Sequence, residues 1–156
     1  MTETISAAPA LARADLLRTQ AWIDGAWVDA DSGDTISVTN PATGEELAQI
    51  PNTGPAETRR AIEAAERALP DWRARPAKER ALVMRRWADL MREHVEDLAL
   101  LLTLEQGKPL AESRTEIDYA ASFFEWFGEE GKRIYGDTIP GFTTDRRIVY
   151  FHRRLR

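Results

Sequence analysis

The pattern of apolar and polar positions changes period once along the chain, and that change divides it. From Ala21 to Ile50 the signal is strand-like. Trp22-Ile23-Asp24-Gly25-Ala26-Trp27-Val28 places β-forming residues around Asp-Gly, the dipeptide that best tolerates the positive φ angles of a type I′ turn, and so predicts a hairpin. Asp31-Ser32-Gly33-Asp34 supplies the next turn. Thr35 to Thr39 alternates with Ile36 and Val38 on one face, Asn40-Pro41-Ala42-Thr43-Gly44 ends the run, and Glu45 to Pro51 forms a further strand. Strands this short bury too little to stand alone, so they lean on helices or on another domain.

From Gly54 to Tyr135 the period is helical. Pro55 suits a first helical position; Ile62, Ala65, Leu69 and Trp72 follow at helical spacing, and Pro70 is expected to end that helix. A second helix opens at Pro76 and carries Val83, Trp87, Leu90, Met91, Val95, Leu98 and Leu102 as its apolar stripe. Arg85, Arg86, Arg92, Glu93 and Glu96 take its solvent face, a break is admitted near His94, and Gly107 and Pro109 stop it. The third helix runs from about Leu110 to Ile134 with Ile117, Ala120, Ala121, Phe124 and Phe127 on its apolar side. Gly128 and Gly131 each cost roughly 1 kcal/mol relative to Ala inside a helix, which points to close approach of another backbone. Asp145 to Phe151 closes the pattern as a strand whose only partners in the chain are the early hairpins. The fold class is therefore an α+β fragment: short N-terminal β-hairpins, three long helices, and a C-terminal strand.

Composition narrows the chemistry. The 156 residues suffice for one domain or a piece of something larger. A net charge of −5 argues against a nucleic-acid partner gripped by a broad basic face. The run from Leu98 to Leu104 is soon stopped by Glu105 and Gln106, short of the roughly 18 apolar residues of a membrane helix. Glu3 and Asp15 interrupt the Ala-rich start, so a secretory signal reads poorly and a cytoplasmic location is expected. The chain has no Cys, which excludes disulfides, Cys-ligated metals and a Cys nucleophile of its own.

Most candidate chemistry fails. No G-x-G-x-x-G, Walker loop or H-E-x-x-H is present, and Gly107-Lys108 lacks the preceding glycine of a phosphate loop. His94 and His152 have no third ligand in view and read as ordinary histidines. Glu125 and Glu129 read as a solvated helix face rather than an acid/base pair. In Phe123-Phe124-Glu125-Trp126-Phe127 the aromatics point several ways, so one face packs inward while another lines a pocket or meets a partner. The terminal arginines read as a solvated tail.

Four ordered segments carry a resemblance. Trp22-Ile23-Asp24-Gly25-Ala26-Trp27, Asn40-Pro41-Ala42-Thr43-Gly44-Glu45, Glu63-Ala64-Ala65 and Thr103-Leu104-Glu105-Gln106-Gly107-Lys108-Pro109-Leu110 resemble the N-terminal signposts of aldehyde dehydrogenases. Glu116 to Phe123 and Gly131 to Pro140 are similar, more specifically, to NAD(P)-dependent succinate-semialdehyde dehydrogenases. The resemblance runs from about Leu16 to Val149; the expected oxyanion motif does not follow, and a frameshift or truncation near residue 150 is the expectation for the aberrant basic tail.

The resemblance implies a division into an extension (1–18), oligomerisation-type hairpins (19–52), the helical part of a nucleotide-binding domain (53–136), and a linker, strand and tail (137–156). Arg147 to Phe151 would join the early hairpins in a sheet that bridges subunits, while the helices pack on the nucleotide-binding domain. It implies oxidation of succinate semialdehyde by an intact homo-oligomeric enzyme using NAD or NADP, through a Cys thiohemiacetal, a Glu base and an oxyanion Asn. None of those three has a matching position, so this chain alone is expected to be inactive and to bind no cofactor, serving at most as an assembly or binding module. Carried over by motif, Tyr119 and Phe123 line the aldehyde entrance, and a monovalent cation takes the Val38 and Thr39 carbonyls and the Glu105 carboxylate. The aldehyde is the implied partner, with no nucleic acid and no membrane.

Overall fold

Asp24 and Gly25 take φ angles of 51° and 81°, the left-handed pair of a type I′ turn. In the computed structural model, which describes residues 10–152, that turn joins β1 (Ala21–Ile23) to β2 (Ala26–Val28). Trp22 lies opposite Trp27 with ring centroids 4.9 Å apart. β3 (Thr35–Thr39) and β4 (Glu46–Pro51) form a second antiparallel pair, and Gly44, at φ 76°, sits in the turn between them. Its register shifts between Val38 and Thr39: Val38 faces Ala48, Thr39 faces Glu46, and buried Leu47 is the extra residue.

These strands lean on the first helix, α1 (Pro55–Ala74), as their shortness requires. Glu57, only 4% exposed, accepts N–H bonds from Asp31 at 2.8 Å and from the N-cap residue Gly54 at 3.1 Å. Arg60 pairs with both Asp31 oxygens at 2.7 Å, and Arg67 reaches Asp24 at 2.8 Å. The Asp31 N–H, then the other backbone amides, hold the Glu57 carboxyl below its ordinary value of 4.5. A lowered folded-state pKa gives stability that is present above the ordinary value and lost as pH falls through the folded one. In acid titrations followed by circular dichroism, Glu57→Gln will therefore start less stable at pH 7 and lose less on descending below about 4.5. Parallel acid curves for the two proteins would contradict this.

Pro70 does not end α1. The carbonyl it leaves unpaired belongs to exposed Glu66, where water replaces the lost bond, and the helix runs on to Ala74. Arg75 is extended at φ −63° and ψ 140° because Pro76 follows it, and that is the true stop. Among the described residues four α-helices form where three are expected. His94, at φ −112° and ψ 25°, separates α2 (Ala77–Glu93) from α3 (Val95–Gln106). α4 spans Leu110–Glu130 and ends one turn before Ile134, with Gly131 as its cap.

α4 packs on α2 and α3 through small residues: Ala88, Ala99, Ser113 and Ala121 have no exposed surface. The Ser113 and Thr103 hydroxyls share a hydrogen bond of 2.9 Å. A Cβ on Gly128 would meet Met84 Cβ at 3.4 Å and the Ala81 carbonyl oxygen at 3.6 Å, ordinary contacts that do not require a glycine, and Gly131 faces only the end of its own helix. Arg92, assigned to the solvent face by the pattern, turns instead toward α4 and bonds Glu125 at 2.9 Å and Asp118 at 3.4 Å. Glu125 is correspondingly half-buried and is an ion-pair partner rather than part of a solvated face.

The C-terminal strand is not left to the early hairpins. β6 (Arg147–Tyr150) pairs antiparallel with β5 (Asp137–Pro140), so among the described residues there are three separate two-stranded sheets. Residues 1–9 of the extension and 153–156 of the basic tail lie outside the described residues. Among the described residues, no helix is long and apolar enough to cross a membrane.

Candidate functional site

The residues singled out by the sequence fall on two places in the fold. One is the exposed side of α4, where Tyr119 and Phe123 meet edge-to-face with centroids 4.8 Å apart. Phe127 extends the row, 6.3 Å from Phe123 and nearly parallel to it. Spacing of four residues stacks these rings one above another on a single face. They remain open to solvent, at 63%, 43% and 55% exposure, while Phe124 turns inward onto Trp87 of α2 at 4.5 Å. The aromatic cluster thus divides into a packed side and an open side.

Tyr119 borders a groove of about 680 Å³ between α3 and α4. Its two guanidinium groups are already engaged: Arg114 grips Glu96 at 2.7 to 3.0 Å, and Arg92 is held by Glu125 and Asp118. The pairing holds Glu96 below the ordinary carboxylate range. A groove whose positive charge is cancelled this way gives apolar walls but no grip on a substrate carboxylate.

The second place is where the end of α3 meets the turn after β3. Gly107 caps α3 at φ 83°, and a Cβ there would stand 2.9 Å from Pro41 Cγ. Pro41 thus packs directly on the helix terminus, two residues after Thr39 in the chain and against the glycine two residues after Glu105. The register shift at Val38 and Thr39 disturbs the ladder where both carbonyls lie. Asn40 fixes the following turn by accepting the Ala42 N–H at 2.9 Å. Glu105 is exposed in the last helical turn, which has no basic side chain. A carboxylate there opposes the helix dipole, a cost of about 0.3–1 kcal/mol that a cation would relieve.

No parallel strand pair occurs among the described residues. Every strand pair is antiparallel and two-stranded, so no strand-helix-strand unit aims a helix N-terminus at a pyrophosphate. His94 lies at the α2–α3 joint and His152 contacts Tyr150 ring to ring at 4.9 Å, and among the described residues no group of three acidic or histidine side chains converges on a metal.

The profile of the Aldehyde dehydrogenase family matches residues 27–154. The chain belongs to the aldehyde dehydrogenase family. The match extends past Val149. Over 136 residues the chain is 68% identical to a glutarate-semialdehyde dehydrogenase of Pseudomonas aeruginosa, covering 87% of this chain and 28% of that protein. It is 62% identical over 135 residues to the succinate-semialdehyde dehydrogenase [NADP(+)] GabD of Escherichia coli, covering 86% and 28%. The solved succinate-semialdehyde dehydrogenase of Burkholderia pseudomallei superposes with a TM-score of 0.82 at 56% identity, covering 90% of this chain and 29% of that one. The chain therefore spans under a third of the length of these relatives and has the fold of the corresponding part of the family.

Sequence reasoning missed three buried groups that organise this part. Glu57 was legible as the third residue after a helix start, where an acid reaches back to the cap. Ser113 and Asp97 carried no local signal, because their partners lie on other elements.

Proposed function

We propose that the chain is the opening segment of an NAD(P)-dependent succinate-semialdehyde dehydrogenase, oxidising an aldehyde to a carboxylic acid when the remainder of the fold is present. The observation that carries this reading is the identity above 60% to enzymes named for semialdehydes, together with an apolar aromatic row on α4. Glutarate semialdehyde and succinate semialdehyde are both short aldehydes with a carboxylate at the far end, and the second is the substrate proposed. Tyr119 and Phe123 act as walls of its entrance. Recognition of the carboxylate falls to basic groups elsewhere, since Arg92 and Arg114 are already paired. In a chain completed with the missing part of the Escherichia coli relative, Tyr119→Ala will change KM differently for aldehydes of different length, leaving kcat within about threefold. An unchanged preference across lengths would remove Tyr119 from the entrance.

As a structural complement, the Val38 and Thr39 carbonyls and the Glu105 carboxylate hold a monovalent cation. Hard oxygen donors suit such an ion, and the disturbed ladder and the negative helix end supply the field. Raising K⁺ or Na⁺ at constant ionic strength will raise the Tm of the completed protein, and Glu105→Ala will abolish the response. Equal responses in both proteins would rule the site out.

The remaining division, with residues 19–52 as oligomerisation-type hairpins and 53–136 as the helical part of a nucleotide-binding domain, is proposed on the same ground. An assembly module without chemistry of its own is the second reading for the isolated chain, and the absence of Cys favours it.

A further inference from the structure

The segment before β1 is tied to the helices at a distance. The Asp97 carboxylate, 7% exposed in the first turn of α3, accepts the Ala12 N–H at 2.8 Å and the Arg13 N–H at 2.9 Å, across 85 and 84 residues of chain. Buried acids usually answer cations; this one answers two backbone amides. The Arg13 guanidinium turns back to Asp15, with two bonds of 2.7 Å, and only grazes His94 at 3.5 Å. Just beyond, a 3₁₀ turn at Ala14–Leu16 lowers Leu16 beside Trp87, Leu90, Met91 and Leu98, at the border of an apolar cavity of about 540 Å³. Arg18 then stacks over Trp27, with its guanidinium carbon 5.1 Å from the ring centre.

We propose that residues 10–17 are a latch over the apolar groove of α2, α3 and α4, with Asp97 as its catch and Leu16 as its seat. The helices also hold one another directly, without the segment. The α2–α4 contact has Arg92–Glu125 and the Gly128–Ala81 approach, and the α3–α4 contact has Ser113–Thr103. Such a segment opens locally while the helices stay folded, and opening uncovers the cavity beneath Leu16. The occupant of the closed groove is this chain's own segment, and the space left beside Leu16 makes its seating incomplete.

Trypsin tests the latch in the full chain, because cleavage after Arg13 requires the segment to leave its catch and tracks the open population. Asp97→Asn removes one charged acceptor, and Leu16→Ala removes the seat without touching α3. Each will raise the rate of cleavage after Arg13 by about tenfold, the effect of losing one charge-assisted bond or one apolar anchor. Amide exchange from Leu98 to Leu102 will stay within about twofold of the parent in Leu16→Ala. Unchanged cleavage after Arg13 in both variants overturns the proposal. So does loss of helix protection in Leu16→Ala, which would make the segment an integral part of the core; if Asp97→Asn unfolds, Leu16→Ala decides alone.

Discussion

Purified alone, the chain will leave NAD⁺ and NADP⁺ unreduced in the presence of succinate semialdehyde, at a rate indistinguishable from buffer. The family chemistry needs a thiolate to convert the aldehyde into a thiohemiacetal before hydride can leave, and the chain has no Cys. The described strands form antiparallel pairs, with no parallel unit among them to present a pyrophosphate site. Enzymes of ordinary power exceed the uncatalysed rate by at least roughly 10⁶-fold, so the contrast with a completed protein is large enough to need no fine assay. Joining the chain to the missing portion of a relative will bring the rate up by that order. Steady nicotinamide reduction by the isolated chain would defeat the proposal that catalysis resides outside it, and failure of a well-folded completed chain would defeat the succinate-semialdehyde assignment.

Local chemistry was legible in this sequence, and partnership across distance was not. Asp24-Gly25 announced its turn because only a pair tolerant of positive φ closes a two-residue hairpin, and the structure puts both residues there. The helix stripes were legible for the same reason, since the period depends on the backbone alone. Pro70 misled because a proline's cost depends on whether the freed carbonyl is buried, and here it belongs to the exposed residue Glu66. β5 was overlooked because Asp137–Pro140 is four residues long and includes a proline, which weakens any strand signal, yet it is the partner that β6 requires. The aromatic row was visible as spacing, and the structure adds which rings stay open. What no local pattern announces is that Arg92 crosses to Glu125 or that Asp97 holds residues 12 and 13, because those choices are made by packing.

The isolated chain will also fail to remain a monomer: at micromolar concentration, light scattering after size exclusion will give a mass above 17.6 kDa that grows with concentration. The described residues leave a large surface uncovered. Much of it is apolar. Ile62, Leu82, Trp87, Tyr119, Trp126 and Phe127 are all more than half exposed, on three different helices. Covering such apolar surface is favourable by about 25 cal/mol per Å², and the more of it two chains cover together the larger the surplus over the freedom lost on association. The β5–β6 hairpin adds two free edges and the apolar residues Ile139, Phe142, Val149 and Phe151. Two substitutions separate these sources. Val149→Lys on the hairpin will reduce association if strand edges drive it, and Trp126→Glu will do so if the α4 face does. A sharp, monodisperse monomer with a cooperative thermal transition would refute the prediction, and would mean that this segment of the aldehyde dehydrogenase fold is stable without the rest.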